Sequence, residues 1–180
     1  MLSNKKNLDC IVITGATATG KTKVAVEVAK SFSGEIISAD SRQIYKGMDI
    51  GTGKDINEYE TDGITIPYHL IDILDPNENY SVYQFQRDFL NAYNKINKNS
   101  KIPILCGGTG LYIESILLKY KLENAPGPNV NLRKSFENLS KEKLLEVLEK
   151  VSKKNIKKYK VDTRNRIIRN IEVELNRCKN

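Results

Sequence analysis

Cys10-Ile11-Val12-Ile13-Thr14-Gly15-Ala16-Thr17-Ala18-Thr19-Gly20-Lys21-Thr22 is the stretch on which the fold turns. Cys10–Thr14 is a mostly apolar run of the kind that forms a parallel strand buried on both faces. The next residues, Gly15 to Thr22, satisfy the pattern G-x-x-x-x-G-K-[ST] in full. Lys21–Phe32 then has a helical period, with Val24, Val28 and Phe32 on one face. A strand, a glycine loop and a helix in that order are the context that gives the motif its meaning. The glycines let the backbone wrap closely round phosphate oxygens, and the N–H groups at the helix start supply positive potential. Lys21 adds a full charge, and the Thr22 hydroxyl is placed to ligate Mg²⁺. Gly15, Ala16, Thr17, Ala18, Thr19, Gly20, Lys21 and Thr22 are therefore expected to hold a small diphosphate or triphosphate. The motif does not choose among kinases, NTPases and other transferases.

Outward from this loop, Glu35–Ala39 reads as a second strand that delivers Asp40 and Ser41 at its carboxyl end. In an open α/β sheet that edge is where ligands bind. Asp40 then suits a Mg²⁺ ligand, a general base or a capping residue, and spacing alone leaves the three open. Ser41–Tyr68 shows no sustained period and reads mostly as loop, and so long a loop is usually functional or mobile. His69–Leu74 reads as another strand, broken by Asp75-Pro76-Asn77. Tyr80–Lys98 is helical, with Val82, Phe85, Phe89, Ala92 and Ile96 at three- and four-residue steps. Ile102–Cys106 is again a strand, running into Gly107-Gly108, and Thr109–Tyr120 opens the next helix. Gly107–Gly110 offers amides and the Thr109 hydroxyl to an anion, or is simply a tight strand-to-helix turn.

This alternation predicts an α/β fold, a P-loop NTPase-like parallel sheet flanked by helices. Asn124-Ala125-Pro126-Gly127-Pro128-Asn129 is the clearest linker signal. It divides a core over 1–123 from a small all-helical C-terminal lobe over 124–180. Helices are expected there at Val130–Leu139, Lys141–Val151, Lys153–Tyr159 and Thr163–Arg177, with Ser140 as an N-cap.

Composition sets outer bounds. Of 180 residues, 39% are hydrophobic and 28% charged, ordinary values for a chain that buries a core. Eighteen apolar residues never run together, so no membrane span is expected, and a cytoplasmic protein is the reading. Cys10, Cys106 and Cys178 lie too far apart for a zinc site or a disulfide framework, and His69 alone builds no metal cluster. The net charge of +7 is unevenly placed. From Arg133 to Asn180 there are 15 Lys and Arg against 7 Asp and Glu, leaving 14 basic and 15 acidic residues for the rest. A basic lobe beside a neutral phosphate-binding domain suits a polyanion such as RNA, or is a solvated helical surface.

Several segments taken together resemble one family. They are the 15–22 loop, the run Ile36-Ile37-Ser38-Ala39-Asp40-Ser41-Arg42-Gln43-Ile44-Tyr45-Lys46-Gly47-Met48-Asp49-Ile50-Gly51-Thr52-Gly53-Lys54, the run His69-Leu70-Ile71-Asp72-Ile73-Leu74-Asp75-Pro76, and Pro103-Ile104-Leu105-Cys106-Gly107-Gly108-Thr109-Gly110-Leu111-Tyr112. This series resembles tRNA dimethylallyltransferase, and also the adenylate isopentenyltransferases that make cytokinin precursors. The resemblance runs from about Asp9 to Glu174. Family P-loops usually carry proline where Ala16 stands, often serine at Thr19, and frequently alanine at Gly53.

The resemblance implies transfer of a dimethylallyl group from dimethylallyl diphosphate to N6 of adenosine at tRNA position 37, next to the anticodon. It implies that Lys21, Thr22 and Mg²⁺ neutralise the leaving diphosphate, that Thr109 also contacts it, and that Asp40 is the base. It implies that Asp40, Ser41, Arg42 and Gln43 grip the target adenosine. Arg133 and the stretch Arg164, Asn165, Arg166, Ile167 and Ile168 match positions that touch the tRNA anticodon stem-loop. The family's tRNA enzymes continue beyond the segment that here reaches Asn180. A split enzyme completed by a second chain, a free-adenylate enzyme and a non-catalytic nucleotide- or RNA-binding remnant are the alternatives. The roles of Asp49, Asp72 and Asp75 are open between metal binding and turn or cap duties.

Overall fold

The computed structural model describes residues 9–54, 56–120, 122, 127–152 and 156–177. The chain divides into two compact units, Met1–Tyr120 and Lys121–Asn180. The linker residues 124–126, the start of the expected 153–159 helix and Cys178 lie outside the described residues.

In the first unit β1 (Ile11–Thr14) leads to α1 (Lys21–Phe32) and β2 (Gly34–Ser38). A 3₁₀ turn at Ile56–Tyr59 and a small antiparallel hairpin, β3 (Glu60–Thr61) with β4 (Ile64–Thr65), interrupt the stretch expected to be loop. Then come β5 (Tyr68–His69), α2 (Val82–Lys98), β6 (Ile102–Gly107) and α3 (Gly110–Leu117). The main sheet is parallel, in the order β1-β6-β2-β5. Ile36 and Ile37 of β2 face Ile104 and Leu105 of β6.

Period-two alternation sorts these strands onto two faces. Ile36, Ile104 and Cys106 pack against α1, with Ile11 and Ile13 alongside. Ile37 and Leu105 pack against Phe85, Phe89 and Ile96 of α2 and Tyr112 and Ile113 of α3. Phe85 is fully buried and stacks on Tyr112, ring centroids 4.3 Å apart. Burial of one such ring contributes about 1.5–3 kcal/mol. The start of α2 is fixed by a capping box: Ser81 and Gln84 satisfy each other's backbone N–H groups.

Two expectations change. On α1 the buried residues are Ala25, Val26 and Ala29, while Val24 and Phe32 are about half exposed. The small alanines let the helix lie close to the sheet, so the apolar stripe read from larger side chains is rotated from the true contact face. The expected His69–Leu74 strand shrinks to Tyr68–His69 plus an isolated parallel bridge between Tyr45 and Leu74. Leu70 and Asp72 take positive φ, a conformation no continuous strand tolerates.

The second unit contains α4 (Val130–Ser135), α5 (Lys141–Val151), a 3₁₀ turn at Ile156–Lys158 and α6 (Arg164–Arg177). Asn129 and Ser140 cap α4 and α5 through side-chain oxygens. Leu144, Leu148, Ile167, Ile168, Ile171 and Phe136 form its core.

Candidate active site

The loop between β1 and α1 turns tightly, with Ala18 at φ 60° and Gly20 at φ 76°. Thr19 Oγ1 donates to Ala16 O at 2.8 Å, and Lys21 Nζ also donates to Ala16 O. The lysine is thus folded back over the loop, where a phosphate oxygen can take the place of that carbonyl. Gly107 explains how β2 and β6 bring their carboxyl ends together here. A Cβ on Gly107 would stand 2.3 Å from Ala39 O, so only glycine permits the approach. Ala39 N donates to Cys106 O at 2.7 Å and Thr109 N to Ala39 O at 3.1 Å.

A cleft of about 510 Å³ opens at this edge. Thr17 to Thr22 line it together with Cys106 to Gly108, Asp40, Gln43, Asp49, Gly51 to Lys54, Glu58 and Tyr59. Asp40 therefore lines the same cleft as the phosphate loop. Its Oδ1 accepts from Arg42 N at 2.9 Å, and among the described residues that is the carboxylate's only hydrogen bond. That bond shapes the turn after β2.

Thr109 stands beside the cleft, not in its lining. Its Oγ1 accepts from Ser41 N at 3.0 Å and donates to Ser41 Oγ at 3.3 Å. Ser41 and Arg42 are exposed, whereas Gln43 lines the cleft. Gln43 Oε1 accepts from Ser38 Oγ at 2.8 Å, and its Nε2 donates to Gly53 O at 3.0 Å.

Sequence reasoning missed Lys54. Its side chain is wholly buried, and its Nζ donates to Tyr45 O at 2.9 Å and pairs with Asp49 at 2.8 Å and with Asp72. Burial pulls its pKa down, but the hydrogen bonds to the two carboxylates outweigh that and hold it above the ordinary lysine value. Asp49 and Asp72 are thereby assigned as its partners, and Asp75 pairs with Lys46 at 3.2 Å. Tyr59 and Cys106 were also missed. Burial raises both, Cys106 to about 11. Only the Gly51-Thr52-Gly53-Lys54 turn carried a signal, and it does not name its partners.

In the helical unit, the structure corrects two residues. Ile167 and Ile168 are 0% and 7% exposed, so their side chains belong to the core and offer no surface to RNA. Their spacing with Ile171 is that of a buried helical face. Asn165 and Arg166 are exposed, and Arg166 pairs with Asp162. Arg164 donates to Phe136 O and to Glu137 O, capping the end of α4. Arg133 is bidentate on buried Glu172, at 2.7 and 3.1 Å, and Arg169 joins at 3.1 Å. Burial opposes the Glu172 charge, but these arginines and the Asn129 N–H outweigh it and hold its pKa down.

Fold and site together define a P-loop α/β protein in which Asp40 lines the same cleft as the loop. Residues 43–179 match the family model described as IPP transferase, and residues 8–68 that of isopentenyl transferase. The chain belongs to the IPP transferase family. It is 50% identical over 166 residues to tRNA dimethylallyltransferase 2 of Phocaeicola vulgatus, covering 92% of this chain and 53% of that protein. It is 49% identical over 170 residues to tRNA dimethylallyltransferase 1 of Parabacteroides distasonis, covering 94% and 54%. The chain thus spans about half the length of the curated relatives it matches. Among solved structures it is similar to the full-length tRNA isopentenylpyrophosphate transferase of Bacillus halodurans, with TM-score 0.60, 35% identity, and coverage of 91% and 54%. It is also similar to a eukaryotic dimethylallyltransferase acting on tRNA, with TM-score 0.69, 26% identity, and coverage of 91% and 40%. Among the described residues no helix is long and apolar enough to cross a membrane.

Proposed function

We propose that this chain carries the donor-binding and base-bearing half of a tRNA dimethylallyltransferase. The observation that carries this is Asp40, which lines one cleft together with the phosphate loop. The diphosphate of dimethylallyl diphosphate would lie against Gly15–Thr22, with Lys21 countering the charge that grows on the leaving group. The exocyclic N6 of adenosine is a weak nucleophile, because its lone pair is delocalised into the ring. Asp40 takes the N6 proton as the C–N bond forms and the C–O bond to diphosphate breaks. General-base help of this kind is worth on the order of 10²–10⁴-fold.

Apart from the proposed base, the cleft offers the Thr22 hydroxyl as a hard oxygen donor. It suits Mg²⁺, which commonly takes few protein oxygens beside phosphate oxygens and water. When bound, Mg²⁺ supplies positive charge to the leaving diphosphate. Thr109 acts through Ser41, holding the loop that carries Asp40.

Ser41, Arg42 and Gln43 are proposed to grip an adenosine unstacked from its neighbours next to the anticodon. Arg133, Asn165 and Arg166 are proposed as phosphate contacts that position the stem-loop. A cytoplasmic setting accords with such a substrate. The experiment is transfer of label from dimethylallyl diphosphate, with Mg²⁺, to unmodified tRNA or to free AMP. Label on tRNA supports the proposal. Label on AMP alone replaces it with a free-adenylate enzyme, and label on neither contradicts catalysis by this chain.

A further inference from the structure

We propose that Lys54 is a positioning residue that clamps the acceptor-gripping loop, leaving the phosphate loop independent of it. Three groups from two chain segments meet on its ammonium: the Tyr45 carbonyl and the Asp49 carboxylate from one, and the Asp72 carboxylate from the other. The Lys54 side chain is 0% exposed, against 68% for Asp49 and 39% for Asp72. The cation is therefore the buried centre, and the two anions reach in to it from more exposed positions, Asp49 from the lining of the cleft.

The segments it ties together are the ones that place Ser41–Gln43. Asp72 N donates to Gln43 O at 3.1 Å, Ile73 N to Ile44 O at 2.9 Å, and Lys46 N to Leu74 O at 2.8 Å. This short ladder has few rungs and is closed at its end by Lys54. The turn leading into Lys54 is held from the other side by Gln43 Nε2 on Gly53 O. Gly51 and Gly53 take φ of 76° and 66°, a backbone that has little preference for one path without such an anchor. The phosphate loop is built on β1 and α1 and exchanges no hydrogen bond with Lys54 among the described residues. Loss of the ammonium leaves two carboxylates facing one another without their cation, and like charges at that spacing separate.

The role of the loop in acceptor binding rests on the proposed function, so the test has one readout that needs no RNA. Amide hydrogen exchange is followed in the free chain for Lys54→Met, Asp72→Asn and the charge-keeping Lys54→Arg. Affinity is measured for Mg²⁺-diphosphate and for an unmodified anticodon stem-loop. Lys54→Met is expected to speed exchange in 43–53 and 72–74 by about tenfold or more, with β1, β2 and β6 unchanged. Stem-loop affinity should fall by about tenfold, within the range of a typical coupling between sites, while diphosphate affinity stays within about twofold. Asp72→Asn should shift both in the same direction by less, and Lys54→Arg should restore part of the loss. Faster exchange spread evenly over the sheet, or equal loss of both affinities, overturns the inference. Failure of the unaltered chain to hold the stem-loop counts against the proposed function, and the exchange pattern then decides the clamp by itself.

Discussion

Thr109 and Ser41 lie 68 positions apart in sequence, yet the Thr109 hydroxyl accepts the Ser41 N–H at 3.0 Å. That bond joins the loop after β6 to the loop that carries Asp40. Thr109→Ala leaves the Ser41 N–H to water, a loss of about 0.5–1.5 kcal/mol. Thr109→Ser keeps the hydroxyl. Exchange of the Ser41 amide should be faster in the alanine variant and near normal in the serine variant.

Gly107→Ala is expected to be severe. Its Cβ would meet Ala39 O at 2.3 Å and Ala39 Cα at 2.8 Å, and both are backbone that no rotamer change can move. Overpacking of this kind costs about 1–3 kcal/mol or more. A thermal melt should show a drop of several degrees. An unchanged melting temperature would mean that the strands do not approach as described.

Cys106 should be a slow thiol. Burial pushes it up to about 11, so near pH 8 it is almost wholly protonated, and the thiolate is the reactive form. Alkylation in the folded chain should lag behind that in denaturant and should rise with pH only towards 11. Rapid labelling at pH 8 would contradict its place beneath the phosphate loop.

Glu172 gives the helical unit a pH dependence of known sign. Its pKa is held below the ordinary 4.5 in the folded chain. The stabilisation is therefore present above that value and is lost as pH falls through the lowered one. Circular dichroism melts should show the unit weakening below about pH 4.5. Glu172→Gln should be less stable at pH 7, by about 1–3 kcal/mol, and should show a flatter profile at low pH.

The parts of the molecule legible in sequence are those encoded locally. Helix α1 spans Lys21–Phe32 as the motif predicts, because a P-loop fixes its helix start through neighbouring residues. Ser140 caps α5 for the same reason. The parallel sheet followed from apolar runs ending at glycines. The Lys54 node was not legible, since its partners Asp49 and Asp72 are brought together by a ladder whose strands carry no period. The contact face of α1 was misplaced because alanine, the smallest packing residue, is outweighed in a pattern search by valine and phenylalanine. Ile167 and Ile168 sit in a segment assigned to RNA as a block, and burial separates them from Asn165 and Arg166.

The most direct test of the account is Asp40→Asn, which keeps the Arg42 N–H acceptor and removes the base. Donor binding and single-turnover transfer to unmodified tRNA are measured side by side with the unaltered chain. The account predicts diphosphate affinity unchanged within about twofold and transfer slowed by about 10²–10⁴-fold. Transfer at the same rate in both proteins, with the product on N6, would contradict the assignment of Asp40 as the base.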